Sequence, residues 1–171
     1  MATDLEARRR REEIVREHME AENAHEFDRC IAAFGRPRYE IIATGEVWDG
    51  RQGVDALLQE NKRGFPDFSF RPTSLHHASE AVIVEGRFTG THLGKWRGLP
   101  PTRRKVDFPL IIVFEFEGDS MICERTYFDL GTPLRQLGVA RDPNSRTGKL
   151  ATAINHPLVV GTALVRSMLR R

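Results

Sequence analysis

Apolar and polar positions in the first thirty or so residues repeat with the period of a helix. Ile14, His18, Ala21 and His25 recur at spacings of four, three and four, and Val15 with Met19 widens the stripe. The pattern predicts a helix over 4–34, broken near Asn23–Ala24, whose second part uses Phe27, Ile31 and Phe34. Gly35 and Pro37 end it, the glycine by tolerating positive φ and the proline by lacking an amide donor. Tyr39 to Thr44 reads as a strand. Gly50 and Gly53 flank a turn into a third helix, Val54 to Arg63, which Phe65-Pro66-Asp67 stops.

From Phe68 the period falls to about two. Phe68–His77, Ala81–Thr91, Val106–Glu117 and Met121–Leu130 read as four strands, with Glu117-Gly118-Asp119-Ser120 as the hairpin turn between the last pair. A Gly- and Pro-rich connection runs from Gly94 to Arg104. After Gly131-Thr132-Pro133 come a short helix at Leu134–Leu137, a polar linker from Arg141 to Lys149, and a helix from Pro157 to Arg171. Helices first and a strand meander afterwards predict an α+β fold, a curved antiparallel sheet with helices on one face. Two segments are expected, a domain over 1–140 and a basic linker with a C-terminal helix over 141–171.

The 171 residues suit one domain plus that appendage, large enough to need no disulfide or metal for stability. Cys30 and Cys123 are isolated, which suits a reducing cytoplasm. Met1 to Glu20 carries both charge signs without an apolar block and does not read as a signal peptide. Net charge is +2, but residues 141–171 hold six basic side chains against one acid, so the body is mildly acidic. A nucleic-acid reader carries its basic surface on the body, so no nucleic-acid partner is expected. The C-terminal helix is too short to span a bilayer. It is expected to pack on the body or a partner, with any membrane contact weak and confined to that helix.

Strand parity frames the chemistry. Arg125, Tyr127 and Asp129 share one face of the last strand, while Ile122, Thr126, Phe128 and Leu130 share the other. On the strand from Ala81, Glu85, Arg87 and Thr89 alternate with Val84, Gly86 and Phe88. If the face carrying acid, Arg and hydroxyl groups looks outward, it is solvated surface. If it looks inward, it lines a pocket where desolvation raises a carboxyl pKa toward neutrality. His92, beside the Gly-rich loop, either polarises a carbonyl at the pocket mouth or hydrogen-bonds backbone. Trp48, Phe88 and Trp96 are candidates for apolar contact with a ligand. His18, His25, His76 and His77 show no metal-ligand spacing, so no metal is expected.

Gly90-Thr91-His92-Leu93-Gly94, Gly98-Leu99-Pro100-Pro101-Thr102 and Cys123-Glu124-Arg125-Thr126-Tyr127-Phe128-Asp129, with Gln136-Leu137-Gly138 and Gly64-Phe65-Pro66-Asp67, carry a resemblance. Over 13–138 the chain resembles the SnoaL-like polyketide cyclase (ester cyclase) family of the nuclear-transport-factor-two-like superfamily. The resemblance implies a cone-shaped curved sheet wrapped by N-terminal helices around a pocket, a homodimer, and acid–base chemistry without a cofactor. It implies a small hydrophobic carbonyl compound as substrate, closed into a ring by intramolecular aldol addition. It places Asp129 as general acid/base, with Arg87, Tyr127 or His92 holding the oxyanion and Glu115 and Arg125 beside the substrate. Arg103 stands where the family commonly has glycine. The same stretch is similar to limonene epoxide hydrolase, with Asp129 and Arg87 matching catalytic positions and Thr89 where a second aspartate belongs. A non-enzymatic binding module of this fold is the third alternative.

Overall fold

Val15, His18, Met19 and Ala21 lie buried along one side of α1 (Ala2–Asn23), the face that the three-and-four spacing marks out. The break after it is built by side chains. The Asn23 amide donates to the Phe70 carbonyl at 2.8 Å and accepts the Phe70 N–H at 2.7 Å, pairing with that residue as a neighbouring strand would. His25 takes a φ of 58° and the chain re-enters helix as α2 (Phe27–Ala32). The computed structural model describes residues 2–169.

Two short strands follow, β1 (Arg38–Ile41) and β2 (Glu46–Asp49), then α3 (Gly50–Gly64), which buries Val54, Leu57 and Leu58. The four long strands are β3 (Ser69–His77), β4 (Ala81–Thr91), β5 (Lys105–Glu117) and β6 (Ser120–Tyr127). All six strands form one open, curved sheet in the order β2-β1-β6-β5-β4-β3. The pairings are antiparallel apart from β1 beside β6, which runs parallel and so departs from the expected meander. Bulges at Pro72/Ser74 and Glu115/Phe116 add local bend to the strands. On β5 the alternation is complete: Val106, Phe108, Leu110, Ile112, Phe114 and Phe116 face inward and are buried, while Asp107 and Ile111 look outward. Gly86 belongs to the inner face of β4. A Cβ there would stand 2.3 Å from the Phe70 ring, so the missing side chain is what lets that ring cross the strand.

The long connection after β4 folds back on the end of α3. The Leu93 and Gly94 N–H groups both donate to the Gly64 carbonyl, and Trp96 Nε1 donates to Asn61 at 3.2 Å. Arg103, in the same connection, has a φ of 60°, the region where glycine costs nothing and arginine is strained. After β6, α4 (Gly131–Gln136) closes the first unit, and the described chain divides after Leu137.

The second unit holds α5 (Arg146–Asn155) and α6 (Pro157–Met168). Among the described residues no helix is long and apolar enough to cross a membrane. The predicted helix to Arg171 includes Arg170 and Arg171, which lie outside the described residues. Two elements differ from the pattern reading. β2 is a four-residue edge strand whose Val47 is exposed, so it has no apolar face to detect. α5 begins inside the expected linker. Its start is a side-chain cap, Ser145 Oγ accepting the Gly148 N–H at 2.9 Å, in a segment whose polarity and glycine argue for a loop.

Candidate functional site

The inner face of the sheet and the helices enclose a hollow of about 100 Å³. Its walls are apolar and largely aromatic: Phe65, Phe70, Phe88, Trp96, Phe108 and Phe128 stand around it. Arg97 lies at its lining, ion-paired with Glu46, its guanidinium 5.3 Å over the Trp96 ring. One part of the lining is polar, and there Glu22 of α1, Tyr39 of β1, and Glu124 and Thr126 of β6 come together.

Behind these residues sits His18, with 1% of its surface exposed. Its Nδ1 lies 3.0 Å from the Cys30 carbonyl, an oxygen that only accepts, so the proton resides on Nδ1. Nε2 then faces Glu124 Oε2 at 3.1 Å, the Tyr39 hydroxyl at 3.1 Å and Glu22 Oε2 at 3.7 Å. The Tyr39 hydroxyl donates to Glu22 at 3.2 Å, which leaves its oxygen free to accept from Nε2. Thr126 donates to the other Glu124 oxygen at 3.3 Å. Burial opposes a charge on His18, yet its bonds to Cys30 and Glu124 outweigh that and hold its pKa well above the ordinary imidazole value. Nε2 and Glu124 therefore form a buried pair that favours the charged imidazole. Burial first, and then the charge of Glu124, push Glu22 up to about 7. Burial likewise raises the Cys30 and Tyr39 hydrogens, so both stay neutral donors. The network leaves one carboxyl, Glu22, that gains and loses a proton near neutral pH at an apolar cavity.

The residues expected to do this work are elsewhere. Asp129 does not line the hollow; its side chain is 65% exposed. Its carboxylate takes the Thr132 hydroxyl at 2.6 Å, the Arg135 guanidinium at 3.0 Å and the Gly131 N–H at 2.9 Å, bonds that hold its pKa below the usual carboxylate range. This is the chemistry of a helix start, and it corrects the expected pocket acid. Arg87 is on the outer face, bonded to Asp107 at 2.7 Å, so the Asp–Arg pairing of an epoxide hydrolase does not form. Tyr127 is exposed. Arg125 bridges Glu40 at 2.7 Å and Glu115 at 2.5 Å on that same outer face, which removes both Arg125 and Glu115 from a ligand's reach. His92 is buried but outside the lining. Its Nδ1 accepts the Thr102 N–H at 3.1 Å, its ring stacks on Phe65, and burial lowers its pKa. Trp48 packs against the core without lining the hollow, whereas Phe88 and Trp96 do line it.

Parity divides β6 into two faces, and the one turned inward is not the one that carries Arg125 and Tyr127. The inner face carries Glu124, Thr126 and Phe128, and an acid in so apolar a line is a signal the sequence offers for the site. Glu22 offers a matching signal: it stands four residues beyond His18 on the stripe that continues Val15 and Met19. Among the described residues His18, Glu22 and Cys30 also bring one potential metal-ligand atom each within 4.8 Å of one another. Nitrogen, oxygen and sulfur donors of this kind suit zinc by chemistry. Here His18 and Cys30 are already engaged with each other, and Tyr39 bonds to all three.

A family model described as SnoaL-like polyketide cyclase matches residues 12–137. Among solved structures, the chain is similar to a phenazine biosynthesis-related protein from Pseudomonas aeruginosa, with a TM-score of 0.71 and 18% identity over 86% of this chain and 97% of that one. It is similar to a protein assigned as a polyketide cyclase from Xanthomonas campestris pv. campestris, with a TM-score of 0.70 and 18% identity over 77% and 98% of the two chains. A protein of ketosteroid isomerase-like fold from Catenulispora acidiphila, solved in complex with trimethylamine, superposes with a TM-score of 0.63 and 19% identity over 74% and 93%. At such identities the likeness establishes the fold. No curated protein matches the chain.

Proposed function

Because the chain belongs to the SnoaL-like polyketide cyclase family, we propose that it closes a ring in a small, uncharged carbonyl compound, with Glu22 as the general acid/base. The observation that carries this reading is the placement of Glu22: a carboxyl with a pKa of about 7 opening on an aromatic-walled cavity, beside a buried His18–Glu124 pair. As a carboxylate, Glu22 removes a proton from the carbon next to the carbonyl. The enolate carbon bonds to a second carbonyl of the same molecule, and the alkoxide formed takes the proton back from Glu22, so nothing is gained or lost. Tyr39 keeps a hydrogen bond on the Glu22 carboxyl, and Glu124 keeps a negative charge near it, which raises its basicity.

A substrate need not be known to test the first step. Exchange of α-hydrogens for deuterium in a panel of small aryl ketones and β-diketones, followed by proton NMR, reads proton abstraction directly. Glu22→Gln is expected to lower the exchange rate by about 10²–10⁴-fold, the contribution of a positioned general base. Asp129→Asn is expected to leave it within tenfold. Exchange by the Glu22→Gln variant at the wild-type rate overturns the assignment. Binding without exchange by the wild-type protein favours the non-enzymatic binding module.

We extend the reading to a homodimer formed through the outer sheet face, where Ile111 and Tyr127 are exposed and Ile83 and Val113 half-buried. Sedimentation at micromolar concentration is expected to give the mass of two chains, and the mass of one counts against it. The free thiols of Cys30 and Cys123 accord with a cytoplasmic setting.

A further inference from the structure

The second unit has a surface that the reaction does not use. On α5, Leu150 and Ile154 are exposed one helical turn apart; on α6, Leu158, Val165, Met168 and Leu169 are exposed, Leu158 at 82% and Leu169 at 81%. At 100° per residue, Leu158, Val165, Met168 and Leu169 fall on one side of α6 together with Gly161 and Thr162, Arg166 stands at the edge of that side, and Val159, also exposed, lies beyond it. Helices of ten and twelve residues do not persist on their own propensity, so faces this apolar require a covering. Charge identifies it. The last 29 residues contain five basic side chains, Arg146, Lys149, Arg166, Arg170 and Arg171, and no acidic one. Packing two such tails together would set like charges against like. A surface that takes apolar side chains into its interior and presents negative charge at its rim fits both features at once. Neither helix is long and apolar enough to cross it.

We propose that residues 146–169 form a peripheral anchor for an anionic lipid bilayer, the helices lying in its plane with their leucine and valine side chains in the acyl region and the basic residues among the headgroups. The inference stands apart from the chemistry of the hollow and survives if that reading fails.

Flotation of the full-length protein with phosphatidylcholine vesicles, with and without phosphatidylglycerol, tests it. The protein is expected to float with the anionic vesicles and to remain behind with neutral ones, and high salt is expected to release it. Lys149→Gln and Arg166→Gln are each expected to lower partitioning about fivefold, corresponding to ~1 kcal/mol for each basic residue near such a surface. Leu158→Glu combined with Val165→Glu, at exposed positions where folding is undisturbed, is expected to abolish flotation. Equal binding to neutral vesicles, salt-insensitive binding, or unchanged flotation of the double variant overturns the proposal. So does a fall in the oligomeric mass of the lipid-free double variant, which would assign the face to a second copy of the chain.

Discussion

The two faces of one sheet handle charge in opposite ways. On the outer face, Arg125 bridges Glu40 and Glu115, Arg87 meets Asp107, and Arg38 reaches Glu40 and Asp49, all in contact with water. On the inner face, Glu124 has 4% of its surface exposed and shares one imidazolium with a second carboxyl, Glu22. Outside, each of these acids meets a base, and the arginines beside Glu40 and Asp49 lower their pKa. Inside, two acids meet one base in a dry place, and the surplus acid is pushed to about 7. Chemical identity therefore says little about what a carboxylate does here; the count of partners and the loss of water decide it.

The largest effect expected is on rate. If Glu22 must be ionised, kcat/KM should rise tenfold per pH unit up to about 7 and level off above it. Glu124→Gln should move that midpoint down, because it removes the charge that helps to raise Glu22. A midpoint unmoved or raised in this variant would break the proposed coupling. Stability carries the same signature with a defined sign. A carboxyl raised on folding stabilises the native state below its unfolded pKa near 4.5, and the contribution is lost as pH rises from there through about 7. Glu22→Gln should therefore gain stability relative to wild type across that window, read as melting temperature against pH.

Packing differs between the faces as much as charge does. Gly86→Ala would place a methyl group against the Phe70 ring on the inner face and within 2.6 Å of the Arg71 carbonyl. Overpacking of this kind costs about 1–3 kcal/mol, and urea unfolding should show it. Thr89→Ala, three residues further along β4 and on the outer face, should cost less than ~0.5 kcal/mol. Equal costs would mean that the inner face is looser than the Phe70 contact makes it.

Most of the fold was legible because burial alternates so regularly. The β4 pattern of Val82, Val84, Gly86 and Phe88 against Ile83, Glu85 and Arg87 could belong only to a strand, and the break at Asn23 fell where the helix ends. The site was not legible in the same way. Periodicity divides β6 into two faces but does not say which one is inside, and polar Arg125, Tyr127 and Asp129 looked more like chemistry than Thr126 and Phe128. The inner line is apolar enough to read as core, with Glu124 its one acid. Its bonded partner His18 lies 106 residues away in sequence, and Tyr39, opposite it in the β1–β6 register, lies 85 away, so only the folded chain brings them together. The strain at Arg103 is a matter of backbone alone, a φ of 60° that no periodicity reveals. Arg103→Gly should raise stability by up to about 1 kcal/mol, the strain relieved less the extra freedom of the unfolded glycine.

The smallest effect bears most directly on the rival chemistry. An epoxide hydrolase reading needs Arg87 beside Asp129, and in the structure its guanidinium is held by Asp107, half-exposed, with a second bond to the Asp107 carbonyl at 3.2 Å. Such a pair gains little Coulomb energy in water and loses side-chain entropy, so its net worth lies between zero and ~1 kcal/mol. A double-mutant cycle with Arg87→Ala and Asp107→Ala, read by urea unfolding, should give a coupling energy in that range that shrinks as salt is added. Neither substitution should change ketone exchange, because neither residue lines the hollow. A loss of exchange on Arg87→Ala with the fold intact would erase the contrast between the faces and bring the outer one back into the chemistry. A coupling well above 1 kcal/mol would mean that this pair too is shielded from water and that the dimer face extends past Ile111 and Tyr127 to cover it. The size of this small number thus separates a solvated surface from a covered one.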